Sequence, residues 1–228
     1  MAPTDHPIPR SRRQSAPGTG APVAHRQRAR KGEGDKLRRE ILDAAERLLG
    51  EKGSPDGVSM RAIADSVGVS PPAIYMHFDD KDELFFECCS RRFREMAEVM
   101  AEAADGQASP MEKIRSVGRA YIEFGLSRPE HYEVMMLGPI PAKAAAGGPE
   151  DLPGAGALIM AANIVTEGIE TGDFRSDLDP LATAVALWAS VHGAVIVLLS
   201  KRKQPVKLFN DETAVVEQLL DIIGRGLV

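Results

Sequence analysis

From residue 35 onward the chain is punctuated by helix starts and stops at short intervals, and this punctuation limits its fold more than any other feature. Ser59 precedes the apolar set Ile63, Ala64 and Val67, and Gly68 follows it. Ser70-Pro71 opens the next pair, Ile74 and Phe78, four residues apart on one helix face. Ser109-Pro110, Pro129 and Asp179-Pro180 begin three further apolar runs. A Ser or Asp side chain can accept a bond from an unpaired first-turn N–H. Proline at the first helical position removes a donor that would be unpaired anyway, and glycine after the last turn tolerates the left-handed conformation. The spacing predicts helices from Asp35 to about Gly50, around 60–67 and 71–78, from Lys81 to about Ala104, then Met111–Ser127, Glu130–Leu137, Gly156–Gly172, Leu181–Lys201 and Asp211–Leu227. Asp80 and Glu83 form a capping-box-like opening for the fourth. Aromatic residues make up only 5% of the chain and hydrophobic residues 43%, which suits interlocked helices better than a sheet. The fold class is therefore all-α, and the Pro-, Gly- and Ala-rich stretch 138–153 reads as a long loop.

Charge divides the chain unevenly. Residues 1–34 hold Arg10, Arg12, Arg13, Arg26, Arg28, Arg30 and Lys31 against Asp5 and Glu33, a net of +5 in a chain whose total is −5. They have almost no large apolar residues and read as a disordered basic arm. Segment 35–84 is net acidic, with 7 basic and 11 acidic residues. Cys88 and Cys89 are adjacent, a spacing that fits neither a disulfide framework nor a metal site; they read as small core residues, with redox sensing the alternative. No apolar leader is visible, and a cytoplasmic location is expected. Leu181–Leu199 lacks charged residues and has the length of a membrane span. Its Thr183, Ser190, His192, Gly193 and many alanines equally fit a helix buried in a protein core or dimer interface, the reading adopted here.

Two short helices separated by Gly68-Val69 and braced by a preceding longer one match a helix-turn-helix, in which the second short helix enters the major groove. The run Tyr75-Met76-His77-Phe78-Asp79-Asp80-Lys81-Asp82-Glu83-Leu84 reads Y-x-H-F-x-x-K-x-x-L. With Ile63-Ala64, Val67-Gly68-Val69-Ser70 and Ile74 it resembles the signature of the tetracycline-repressor (TetR) family. That resemblance implies a three-helix DNA-binding domain over 35–84, a helical ligand-binding and dimerisation domain over 85–228, and a repressor released from double-stranded DNA by a small apolar or amphipathic effector. Tyr75 and His77 have polar tips suited to phosphate oxygens, and Lys81 adds a cation at a helix start. Phe78, Ile74 and Leu84 face inward. The resemblance places Arg61 at a base-contact position, with Ser59 at the same helix start, and sets Ser70, Pro71 and Ala73 beside the groove. A guanidinium can bridge guanine O6 and N7, although a solvated surface arginine is the plain alternative. Pro71, Ala73 and Met76 cannot hydrogen-bond through their side chains, which points to thymine methyls or DNA shape.

Past Leu84 the likeness thins. Trp188, His192 and Gly193 form W-x-x-x-H-G, similar to a C-terminal domain type of one TetR subgroup. Trp188 and His192 share a helix face and either line a pocket or pack together. Tyr121, Phe124, Tyr132, Met135 and Met136 supply adaptable apolar surface for an effector cavity or an ordinary core. Val185, Ile196, Leu199, Val216, Leu219, Leu220 and Ile223 of the last two helices are the expected homodimer surface. Nucleophile elbows, phosphate loops, zinc spacings and paired carboxylates are not found, so no catalytic residue, metal or cofactor is assigned. A helical enzyme, or an adaptor that has lost DNA binding, is the competing class.

Because the helix-turn-helix segment is acidic, long-range attraction to DNA falls to the arm. Deleting residues 1–34 is expected to flatten the slope of log affinity against log salt by about 0.9 per phosphate that the arm neutralises, with little change in specificity. Titrations of full-length and truncated protein across a salt series check this; identical slopes would show a tail that never touches DNA.

Overall fold

A computed structural model describes residues 33–137, 152–203 and 211–228. Most of the basic arm and of the 138–153 loop falls outside the described residues. Those described contain nine α-helices and no strand: α1 (Glu33–Lys52), α2 (Met60–Val67), α3 (Pro71–Tyr75), α4 (Lys81–Ala104), α5 (Pro110–Ser127), α6 (Pro129–Leu137), α7 (Ala155–Thr171), α8 (Pro180–Lys203) and α9 (Glu212–Leu227). The helices for which a Ser, Asp or Pro start signal was read, α2–α6 and α8, each begin within two residues of it. Ser59 Oγ accepts from the Ala62 N–H at 3.1 Å, Asp80 Oδ1 from Glu83 N–H at 2.7 Å, and Ser109 Oγ from Glu112 N–H at 3.2 Å. Gly68 closes α2 at φ 78°, a conformation that would strain other residues. Ser70 departs from expectation: it holds the N-cap position of α3, yet its hydroxyl makes no capping bond.

Two apolar cores result. Ile41, Ala45, Leu49, Ile63, Ala64, Ile74, Phe78 and Leu84 are sealed among α1–α4. The second core joins the far end of α4, through Met96 and Met100, to α5–α9. The expected boundary between 84 and 85 therefore falls inside α4, which belongs to both cores. Glu46 of α1, only 4% exposed, pairs with Arg92 and lies 3.8 Å from Arg91 of α4. Lys113–Glu167 at 2.7 Å ties α5 to α7, and Arg115–Asp221 at 3.1 Å ties α5 to α9.

Helix α8 is not buried on all sides. Its Pro180–Ser200 stretch has a mean hydropathy of 2.0, but only 22% of it is covered by this chain. Ala184, Val191, Val195 and Leu198 point inward, while Leu181, Val185 and Val197 are exposed, as is Ile222 of α9. This corrects the expected dimer surface: Leu199, Val216 and Leu220 are core residues of the single chain, and Ile196, Leu219 and Ile223 pack partly against that core.

Where α7 ends, the chain turns back and lays the buried Phe174 ring across Gly168. The turn is held by Phe174 N–H donating to Gly168 C=O at 2.9 Å. A methyl group at 168 would overlap that ring. Gly168→Ala is expected to destabilise the second core by about 1–3 kcal/mol despite alanine's higher helix propensity. Denaturant unfolding measures this, and an unchanged or raised midpoint would contradict the packing.

Candidate functional site

The two short helices present one exposed set of side chains because the opposite faces are spent on the core. Ile74 and Phe78 anchor α3 and its following turn inside, and the Arg38 guanidinium covers the Phe78 ring at 4.8 Å. Anchoring leaves Tyr75 51% and Met76 85% exposed at the end of α3. Arg61 stands exposed in the first turn of α2. The exposed Ser59 already accepts a capping bond, so its hydroxyl is left as a donor, whereas Ser70 is exposed with its hydroxyl uncommitted to the cap. Pro71, Ala73 and His77 are half-buried beside these residues in the chain. Lys81 opens α4 with Nζ 5.8 Å from the Phe85 ring centre. The structure thus puts every predicted DNA-contact residue at a start, an end or a turn of the helix-turn-helix, none inside its core.

The second site is a cavity of about 340 Å³ lined by residues of α4, α5, α6, α7, α8 and α9 and of the 152–154 turn, near the lower end of the range for ligand pockets. Its walls include Phe93, Met96, Ile114, Ala157, Leu187 and Leu220. Small residues on α7, Ala157 and Ala161, leave the space that larger side chains would fill. Of the predicted ligand residues, Tyr121, Met136 and Trp188 line the cavity. Tyr132 and His192 stand behind Tyr121, and Phe124 and Met135 pack into the core away from the wall. Met96, Met100, Val117 and Val191 are wall residues that the sequence analysis did not single out. A helical period can show that such a face is buried, but it does not separate a cavity wall from a filled core.

Trp188 and His192 both pack together and border the site: their rings stack at 5.3 Å between centroids. Trp188 Nε1–H donates to Tyr121 Oη at 3.1 Å, the Tyr121 and Tyr132 hydroxyls are 2.8 Å apart, and Tyr132 Oη lies 2.6 Å from His192 Nδ1. Burial raises both tyrosine pKa values and lowers that of His192, which favours uncharged forms throughout the chain of bonds near neutral pH. Helix α6, which contributes Tyr132 and Met136, also places Glu130 and His131 beside Gly50 of α1. It belongs to the second core through Tyr132 and Met135 and also packs against α1.

A small-helix reader domain joined through one shared helix to a domain with an apolar cavity defines a ligand-cavity helix-turn-helix protein. The chain belongs to the tetR family of bacterial regulatory proteins. The family's N-terminal domain, "Bacterial regulatory proteins, tetR family", matches residues 41–88, and "Tetracyclin repressor-like, C-terminal domain" matches residues 114–223. The HTH-type transcriptional regulator BetI of Brucella anthropi is 35% identical over 80 residues, which are 35% of this chain and 41% of that protein. The chain thus spans less than half the length of that curated relative. A protein of unknown function from Rhodococcus sp. RHA1 superposes with a TM-score of 0.72 at 26% identity, covering 84% of this chain and 95% of the other. The regulator FadR of Bacillus subtilis, in complex with stearoyl-CoA, superposes with a TM-score of 0.67 at 19% identity over 83% of this chain and 99% of its own, and so shares the fold.

Among the described residues, no group of three or more His, Cys, Asp or Glu could hold a metal ion. Cys88 is buried with Sγ 4.0 Å from the Leu42 carbonyl, and burial, reinforced by Glu46, pushes its thiol pKa far up. The same two causes push Cys89 up to about 11. Thiolate, the reactive form, is therefore scarce at neutral pH. Iodoacetamide labelling of the folded protein is expected to be slow at pH 7.5 and to rise about ten-fold per pH unit until near the Cys89 pKa. Labelling at pH 7.5 as fast as a free thiol would restore the redox-sensor alternative.

Proposed function

We propose that this chain is a homodimeric, effector-responsive transcriptional repressor that reads double-stranded DNA with α2 and α3. The observation that carries the reading is one molecule's combination of a helix-turn-helix exposing Arg61, Tyr75 and Met76 with an apolar cavity joined to it through α4 and α6. Arg61 is the base reader, Met76 and Ala73 meet thymine methyls, and Pro71 approaches the groove wall. Ser59, Ser70, Tyr75, His77 and Lys81 hold phosphates. Repression, rather than activation, follows from the TetR resemblance.

A second copy covers the outward face of α8, where Leu181, Val185 and Val197 are exposed, together with Ile222 of α9. Covered by that copy, the face belongs to a soluble, cytoplasmic dimer rather than to a membrane span. The bound stearoyl-CoA of the FadR neighbour is consistent with an apolar or amphipathic effector here. A ligand filling the cavity presses on Met136 and displaces α6. That shift reaches α1 at Gly50 and changes the separation of the two recognition helices, which no longer match successive major grooves.

Footprinting on the DNA flanking the protein's own gene identifies the operator. There, Arg61→Ala is expected to relax preference at one position per half-site, with about 1–3 kcal/mol less discrimination. Tyr75→Phe is expected to weaken binding to all sites alike. Uniform weakening by Arg61→Ala would demote that residue to a phosphate contact, and recovery of the protein only from membranes would defeat the dimer reading.

A further inference from the structure

Resting on the cavity as the effector site, a narrower statement about the effector's chemistry follows from the cavity's polar groups. Among the described residues, none of the lining side chains is charged. The polar side chains among those lining residues are Tyr121 and Trp188, and the indole N–H is already spent on Tyr121 Oη. Whatever polar contact the wall offers through side chains therefore depends on where the Tyr121 proton goes.

The bonds behind the wall decide this. Indole is a donor only, so Tyr121 accepts from Trp188. The contact at the far end, between Tyr132 Oη and His192 Nδ1, can run in either direction. If His192 carried its proton on Nδ1, it would donate to Tyr132, and one of the two hydroxyl protons, that of Tyr132 or, with Tyr132 donating to Tyr121, that of Tyr121, would be left without an acceptor among these groups. Leaving a buried donor unmade is the costly alternative. With the His192 proton on Nε2, the three bonds that link the four side chains run in one direction: Trp188 to Tyr121, Tyr121 to Tyr132, Tyr132 to His192. Tyr121 then faces the cavity with a free lone pair and no proton to give.

We propose that the effector is an uncharged molecule that carries a hydroxyl or N–H group, and that this group donates to Tyr121 Oη. A ligand able only to accept must first turn two hydroxyls and move the histidine proton. A carboxylate or ammonium would meet no counter-charge among the described wall residues. Tyr121 is thus a specificity-determining residue, and Tyr132 and His192 are positioning residues that hold its proton away from the ligand.

The isomers 1-octanol and methyl heptyl ether, together with octanoate, separate these cases. Binding is followed through Trp188, the one tryptophan of the sequence, and by calorimetry. Octanol is expected to bind at least about ten-fold tighter than the ether or octanoate, on the order of one hydrogen bond. In Tyr121→Phe, octanol is expected to fall to the affinity of the ether, with ether binding retained. Equal binding of the two isomers in the native protein, or an octanol preference that survives Tyr121→Phe, would overturn the donor inference and leave the effector cavity standing. Octanoate as the tightest of the three would overturn the uncharged class. Silence from all three probes would overturn the cavity as an effector site, and this inference with it.

Discussion

Both cores depend on the burial of α4 at its two ends. Leu84, Phe85 and Cys88 close the N-terminal core, and Met96 and Met100 enter the second one farther along the same helix. Twenty-four helical residues make a rod of about 36 Å, and a rod buried at both ends cannot tilt for one core without disturbing the other. Glu46 sharpens this. A carboxylate sealed in the α1–α4 contact is tolerable only with Arg92 and Arg91 beside it, which holds α1 against the middle of α4. Such a pair adds little net stability, but it resists sliding, because any shift leaves a buried charge unpaired.

Helix α8 works on two faces at once. Its inward face, through Val191, Val195 and Leu198, supports the second core, and Trp188 and His192 meet the tyrosines behind the cavity. Its outward apolar face is uncovered in one chain. Exposed Leu181, Val185 and Val197 lie on the same helix as the cavity-lining Trp188 and Val191, so the cavity wall and the outward apolar face are linked through one rigid element.

The cavity owes its character to what surrounds it as much as to what it lacks. Alanines on α7 withhold volume, methionines on α4 give an adaptable wall, and charged side chains near it are engaged elsewhere: Lys113 with Glu167, Arg115 with Asp221. One edge carries the bonded series from Trp188 to His192. A polar series fully paired in an apolar setting orients each member, which is why four aromatic side chains from three helices can present a single, defined hydrogen-bonding group.

Local chemistry was legible in the sequence. Ser59, Asp80 and Ser109 cap the helices they precede, and Gly68 ends α2 in the left-handed region, because each of these bonds joins residues three or four apart and needs no distant partner. The inward set Ile74, Phe78 and Leu84 was equally readable from period and signature. The two-sided burial of α4, the pairing of Glu46 with Arg92, the placement of Leu199, Val216 and Leu220 inside rather than on a dimer surface, and the exclusion of Phe124 and Met135 from the cavity wall were not. A helical period says that a face is buried. Only the tertiary packing decided against which neighbour, or against what empty space, because the partner residues come from elements as far as 106 positions away, as with Arg115 and Asp221.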